Sequence, residues 1–71
     1  MRAENLDVNA RDDQGGTALH KAAARGELEM ARLLLAHGAD LGVADRQGRT
    51  ALTIAEMAGH RDVAELLRAR L

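Results

Sequence analysis

Shifted against itself by 33 positions, this sequence matches its own turn residues, its glycines and its apolar positions at once. Asp7, Asp12, Gln14, Gly15 and Thr17 fall on Asp40, Asp45, Gln47, Gly48 and Thr50. The register continues, with Ala18, Leu19, Ala22, Gly26, Ala31, Leu33, Leu34 and Ala36 on Ala51, Leu52, Ala55, Gly59, Ala64, Leu66, Leu67 and Ala69. A fixed period of this length marks one supersecondary unit repeated along the chain. Such a unit cannot bury its apolar face alone, so neighbouring copies must stack to make a core.

Within one period the punctuation is local. Thr17 follows a glycine pair and is placed to cap a helix. Ala18 to Arg25 suits a short helix, and Gly26 supplies the left-handed residue that ends it. Glu27 and Glu29 then stand at the start of a second helix, where carboxylates meet the positive end of its dipole. Leu28, Ala31, Leu34 and Leu35 recur at helical spacing, and Gly38 closes the segment. The connection Ala39 to Asp45 carries the glycine and aspartates of a tight turn or hairpin. Ala22, Ala23 and Ala24 keep the first helix slim, so a neighbouring backbone can come close to it.

These residues resemble the ankyrin repeat, whose pattern runs Asp-x-x-Gly-x-Thr-Pro-Leu-His-x-Ala-Ala, then Gly-His, a Leu-Leu pair and Gly-Ala-Asp. Asp12 to Ala23, Gly26, Leu34-Leu35 and Gly38-Ala39-Asp40 follow it in the first copy; Asp45 to Leu52, Ala55 and Gly59-His60 follow it in the second. The resemblance implies an all-α fold, an ankyrin-type helix-turn-helix repeat stack with short hairpin-like linkers. It divides a single domain, 1–71, into a linker from a truncated preceding repeat (1–11), repeat one (12–44) and repeat two (45–71). Ala18 and Ala51 stand where the family often has Pro at the first helical position, a small change because Ala is a good helix former. Repeat two departs further: Thr53 replaces the family's His, and Arg61 and Arg68 stand at the positions of Leu28 and Leu35. Arginine at two apolar positions suits an uncovered outer face, so repeat two is expected to be a C-terminal cap. Before Asp12, Leu6 to Arg11 is similar to the linker that ends a preceding unit. The chain is therefore expected to be either a piece of a longer array or a homo-oligomer, with Leu19, Ala22, Met30 and Leu33 on an uncovered, self-associating face.

Composition narrows the chemistry. Ten basic and eleven acidic residues are interleaved rather than blocked, and the chain contains no Phe, Tyr, Trp or Cys. Without aromatic rings the core must be thin, built from Leu and Ala, and a domain of 71 residues buries only about 60% of its unfolded surface. The absence of Cys removes disulfides and thiolate metal sites and points to a reducing, cytoplasmic setting. No stretch has the apolar length of a membrane span, so a membrane is not an expected partner. Ser, Cys and Tyr are missing as nucleophiles and Lys21 is the sole lysine, so no enzyme is expected. Asp12, Asp13, Asp40 and Asp45 fit turns in which an aspartate bonds its own backbone.

His20, His37 and His60 lie 17 and 23 residues apart, without the helical pairing that sets two metal ligands on one face. His20 stands at the family's histidine position, where the resemblance implies a structural hydrogen bond between helix and hairpin. Gly15-Gly16-Thr17 lacks the lysine and strand of a phosphate-binding loop, and no cofactor is expected. Nucleic-acid binding lacks both net positive charge and stacking rings, leaving only a patch of Arg25, Arg46 and Arg49 to argue for it. Another protein is the expected partner. In ankyrin proteins the variable contacts flank the Asp-x-x-Gly-x-Thr turn and the end of the first helix. Carried over, these are Arg11, Asp13, Gln14, Gly16, Ala24 and Arg25, then Arg46, Gln47, Arg49, Met57 and Ala58. Met57 would either anchor a partner or fill a gap under the hairpin.

Overall fold

A computed structural model describes residues 7–71, so the first six residues of the expected linker, Leu6 among them, lie outside the described residues. Four α-helices follow in order: α1 (Ala18–Arg25), α2 (Leu28–Ala36), α3 (Ala51–Ala58) and α4 (Arg61–Ala69), with no strand among the described residues. Helices of eight or nine residues are too short to persist alone in water. Packing must hold them.

Each helix pair is started and turned by the same local devices. Thr17 and Thr50 sit in extended backbone before α1 and α3, and the Thr50 hydroxyl accepts the Thr53 N–H at 3.3 Å. Gly26 takes φ +73° after α1, and the chain re-enters a helix within two residues. No L side chain sits comfortably at that φ. A second constraint acts on the same residue, because a Cβ there would lie 2.6 Å from the His60 ring.

α1 and α3 pack side by side, α2 lies behind α1, α4 behind α3, and the two rear helices meet each other. The core that results is Leu19, Ala22, Ala23, Ala31, Ala51, Ala55, Val63, Ala64 and Leu67. Alanine dominates it because the front helices approach along their small-residue faces; Leu28, Leu34, Leu35, Leu52 and Leu66 close the edges while half-buried. Leu19 and Ala22 are corrected by this packing. Each is 1% exposed, enclosed among α1, its own rear helix and α3, and so neither lies on the open face with Met30 and Leu33.

Comparison of equivalent positions shows which way each side chain points along the stack. Val63 is 0% exposed, whereas Met30, one period earlier, is 45% exposed. Leu66 is half-buried and Leu33 exposed in the same relation. These positions point toward the N-terminal side, where α4 meets α2 but α2 meets no further helix among the described residues.

Candidate partner-binding surface

The turns that precede α1 and α3 are built on one aspartate each. Asp12 Oδ1 accepts the N–H groups of Gln14 (2.9 Å) and Gly16 (3.0 Å); Asp45 Oδ1 accepts those of Gln47 and Arg49, both at 2.9 Å. Each loop is closed by backbone bonds, from Asp12 N–H to Gly16 C=O at 2.8 Å and from Asp45 N–H to Arg49 C=O at 2.9 Å. The Gly16 N–H, then the Gln14 N–H, hold the Asp12 carboxyl below its ordinary pKa, and Lys21 adds to the effect. For Asp45 the Arg49 N–H lowers it most; burial opposes this, and the Gln47 N–H and Arg49 side chain assist. Asp40 Oδ1 accepts the Gly42 N–H at 2.8 Å in the linker. Asp13 departs from the expectation for these aspartates: it is exposed and makes no such bond among the described residues, because Asp12 already receives the turn's N–H groups.

The two turns are coupled. Arg46 N–H donates to Gln14 C=O at 2.9 Å, so the tips of neighbouring units sit edge to edge. His20 adds a second tie: its Nδ1 accepts the buried Thr17 N–H at 3.0 Å, which leaves the Nε2–H to donate to Arg49 C=O at 2.9 Å. One ring thus braces its own cap and the next unit's turn. His60 provides a third tie, its Nε2 lying 3.2 Å from Ala24 C=O at the end of α1. Asn9 joins the leading segment to the next linker, donating to Gly38 C=O at 3.3 Å and accepting Asp40 N–H at 2.7 Å. The bonds of His60 and Asn9 carry no signal in the spacing of the chain; they exist only because of the stack.

The turn tips and the ends of the front helices are both exposed. Arg11, Asp13, Gln14, Arg46 and Gln47 are exposed on the leading segment and turn tips, and Ala24, Arg25, Met57 and Ala58 at the ends of α1 and α3. Met57 is 68% exposed, so it fills no gap beneath the turn. Two expected contacts lie deeper than their sequence positions suggest. Gly16 is buried against His20, and Arg49 is half-buried with its Nε donating to Asp45 Oδ2 at 3.0 Å, so its head braces the turn. Lys21 and Arg25 make looser ion pairs with Asp12 (3.8 Å) and Glu27 (4.0 Å). Exposed pairs of this kind hold their side chains weakly and leave them available to a ligand.

At the opposite end of the stack, Ala55, Glu56, Gly59, Arg61, Ala64, Glu65 and Arg68 line a shallow groove between α3 and α4. Arg68 donates to Glu56 Oε2 across it at 2.9 Å. Among the described residues no group of three or more His, Asp and Glu could hold a metal ion, and no helix is long and apolar enough to cross a membrane.

Paired antiparallel helices, braced turn to turn by histidine and aspartate, define the chain as a stacked helical repeat protein. The family model for ankyrin repeats (3 copies) matches residues 1–70, and the chain belongs to the ankyrin repeat family. Ankyrin repeats are in general protein–protein interaction modules. The chain is 52% identical over 40 residues to ankyrin repeat domain-containing protein 13B of Mus musculus, a match covering 56% of this chain and 6% of that protein. It is 49% identical over 40 residues to palmitoyltransferase akr1 of Schizosaccharomyces pombe, with the same two shares. To ankyrin repeat domain-containing protein 49 of Bos taurus it is 54% identical over 33 residues, 46% of this chain and 14% of that one. The chain therefore spans only a small part of the length of these curated relatives.

Proposed function

We propose that this chain is a non-catalytic interaction module that holds a partner protein against its turn tips and the ends of α1 and α3. The observation that carries the reading is Met57, an apolar side chain 68% exposed in the last turn of α3, in a stack whose turns are hydrogen-bonded to one another. A flexible thioether displayed on a fixed helix is a ready apolar anchor. Arg25, Arg46 and Gln47 are likewise exposed and would supply the polar rim. Asp13, Gln14 and Arg11 extend the same surface toward the N-terminal side. Arg49 serves it indirectly, by fixing the Asp45 turn that presents Arg46. The catalytic name of palmitoyltransferase akr1 belongs to a protein of which the match covers 6%, and it lends no reaction to this segment.

Affinity capture with the intact chain and with a triple variant, Arg25→Ala, Arg46→Ala and Met57→Ala, tests this reading. The variant should keep its helical circular dichroism and lose the captured protein. Equal capture by both chains would remove the site assignment.

A second reading is favoured by one observation, the exposure of Met30 and Leu33 on the N-terminal side of α2 at 45% and 52%. Two copies can cover these faces mutually in a closed pair. Sedimentation velocity across a concentration series tests it, and a Met30→Arg chain should remain at the monomer mass throughout. A wild-type mass that never rises would dismiss the pair.

A further inference from the structure

The outer faces of the two front helices differ in chemistry although they occupy the same repeat positions. On α1, Lys21 and Arg25 stand at i and i+4, on the side away from the buried Leu19, Ala22 and Ala23. One period later their places are taken by Ile54 and Ala58, and Met57 lies on the same side of α3. Ile54 is packed against the core and half-buried, so it backs Met57 three residues on. α1 and α3 pack side by side, which sets the cationic and the apolar face next to each other, about 10 Å from axis to axis. Arg46 joins the cationic side although it belongs to repeat two. Its N–H is bonded to Gln14 C=O, and a Cβ at Gly15 would lie 3.3 Å from its Cγ, so the side chain leans over the first turn. Lys21 reaches the same turn, 3.8 Å from Asp12 Oδ2. Of the acids there, Asp12 is engaged by two turn N–H groups, Asp13 is exposed, and Glu27 lies 4.0 Å from Arg25 beyond the end of α1.

We propose, resting on the interaction reading above, that this face takes an extended acidic segment of a partner protein, with an Asp or Glu carboxylate over repeat one and an aliphatic or methionine side chain over Met57. Charge complementarity selects the first group. Lys21, Arg25 and Arg46 supply the donors, and the pairs that Lys21 and Arg25 already make, at 3.8 and 4.0 Å, are loose enough for an incoming carboxylate to replace. Apolar contact selects the second, because a thioether 68% exposed can mould itself to an aliphatic neighbour. Geometry selects the spacing: about 10 Å between neighbouring helices is roughly three residues of extended chain. A basic segment would meet chiefly Asp13 and Glu27, and a wholly apolar one would strip water from three cations without giving them partners.

Selection of a random linear peptide library on the full chain reads this preference, and the most enriched peptide then serves as the probe in fluorescence anisotropy. Enriched peptides should carry Asp or Glu about three positions from Leu, Ile, Val or Met. Binding of the probe should weaken about tenfold in the charge-reversed chain Lys21→Glu/Arg25→Glu/Arg46→Glu, the combined effect of three exposed pairs. It should also fall with rising salt in the wild type, and Met57→Ala should weaken it independently. Both variants should keep their helical circular dichroism; if charge reversal costs the fold, the salt dependence of the wild type decides in its place. Apolar or basic peptides that depend on Met57 but not on the three cations would overturn the acidic segment and leave the interaction site standing. Peptides indifferent to both variants, or no enrichment at all, would overturn the segment and the site together.

Discussion

Replacing His20 with Ala removes one ring and leaves two backbone groups without partners. The ring is 5% exposed; it accepts Thr17 N–H at 3.0 Å and donates to Arg49 C=O at 2.9 Å. Thr17 is itself 2% exposed, so water cannot replace the imidazole at its N–H, and the loss there is about 2–3 kcal/mol. Arg49 is only half-buried, so its carbonyl regains some hydration and loses about 1 kcal/mol. The sum, about 3–4 kcal/mol, is a large share of the roughly 5–15 kcal/mol that stabilises an ordinary domain. Urea denaturation followed by circular dichroism reads it directly. With a slope of about 1 kcal/mol/M for so small a chain, the midpoint should fall by about 3 M or the variant should be unfolded in water. His20→Gln separates the two bonds, because glutamine at this helical position can reach back to the cap N–H but cannot also hold the next turn. It should recover most of the loss. A His20→Ala midpoint within about 0.3 M of wild type would refute the reasoning, since it would mean that both groups find water.

Stability should fall in acid through Asp12 and Asp45. Their folded pKa values are lowered by turn N–H groups, so the stabilisation they give is complete above the ordinary carboxylate range and is lost as pH falls through the lowered folded values. Melting temperatures from pH 6 downward should show a decline that is shallower in Asp12→Asn/Asp45→Asn; an identical slope in the two chains would assign the acid sensitivity elsewhere. Gly26→Ala forces φ +73° and drives the His60 ring from Ala24, whereas Gly38→Ala, at φ +92° with open space around it, carries the backbone strain alone. Strain at either site is about 1–2 kcal/mol, and Gly26→Ala should melt well below Gly38→Ala; equal melting would deny the His60 contact. Removing the exposed Arg68–Glu56 pair by Glu56→Ala should change stability by no more than about 1 kcal/mol in chemical denaturation. A larger loss would make the pair a structural brace.

The 33-residue period, the helix starts at Thr17 and Thr50 and the helix ends at Gly26 and Gly59 are legible in the chain itself. Capping and left-handed turns are decided within a few residues, so local sequence carries them. The small faces of α1 and α3 and the aspartate turns are legible for the same reason. Tertiary structure alone decided burial: of the four positions expected on the open face, Leu19 and Ala22 are enclosed while Met30 and Leu33 are exposed. Met30 and Val63 occupy one position of the repeat and both are apolar, yet one is 45% exposed and the other fully buried, because among the described residues only the second helix of repeat two meets a further helix on its N-terminal side. Met57 stands clear of the turn it was equally expected to fill, Asp13 is left without the bond that Asp12 takes, and Arg49 is drawn inward by Asp45. The bonds of His20 to Arg49 and of His60 to Ala24 span 29 and 36 residues. No local rule sets such a pairing: a repeat determines its own helices, and what each side chain meets is fixed by the unit stacked beside it.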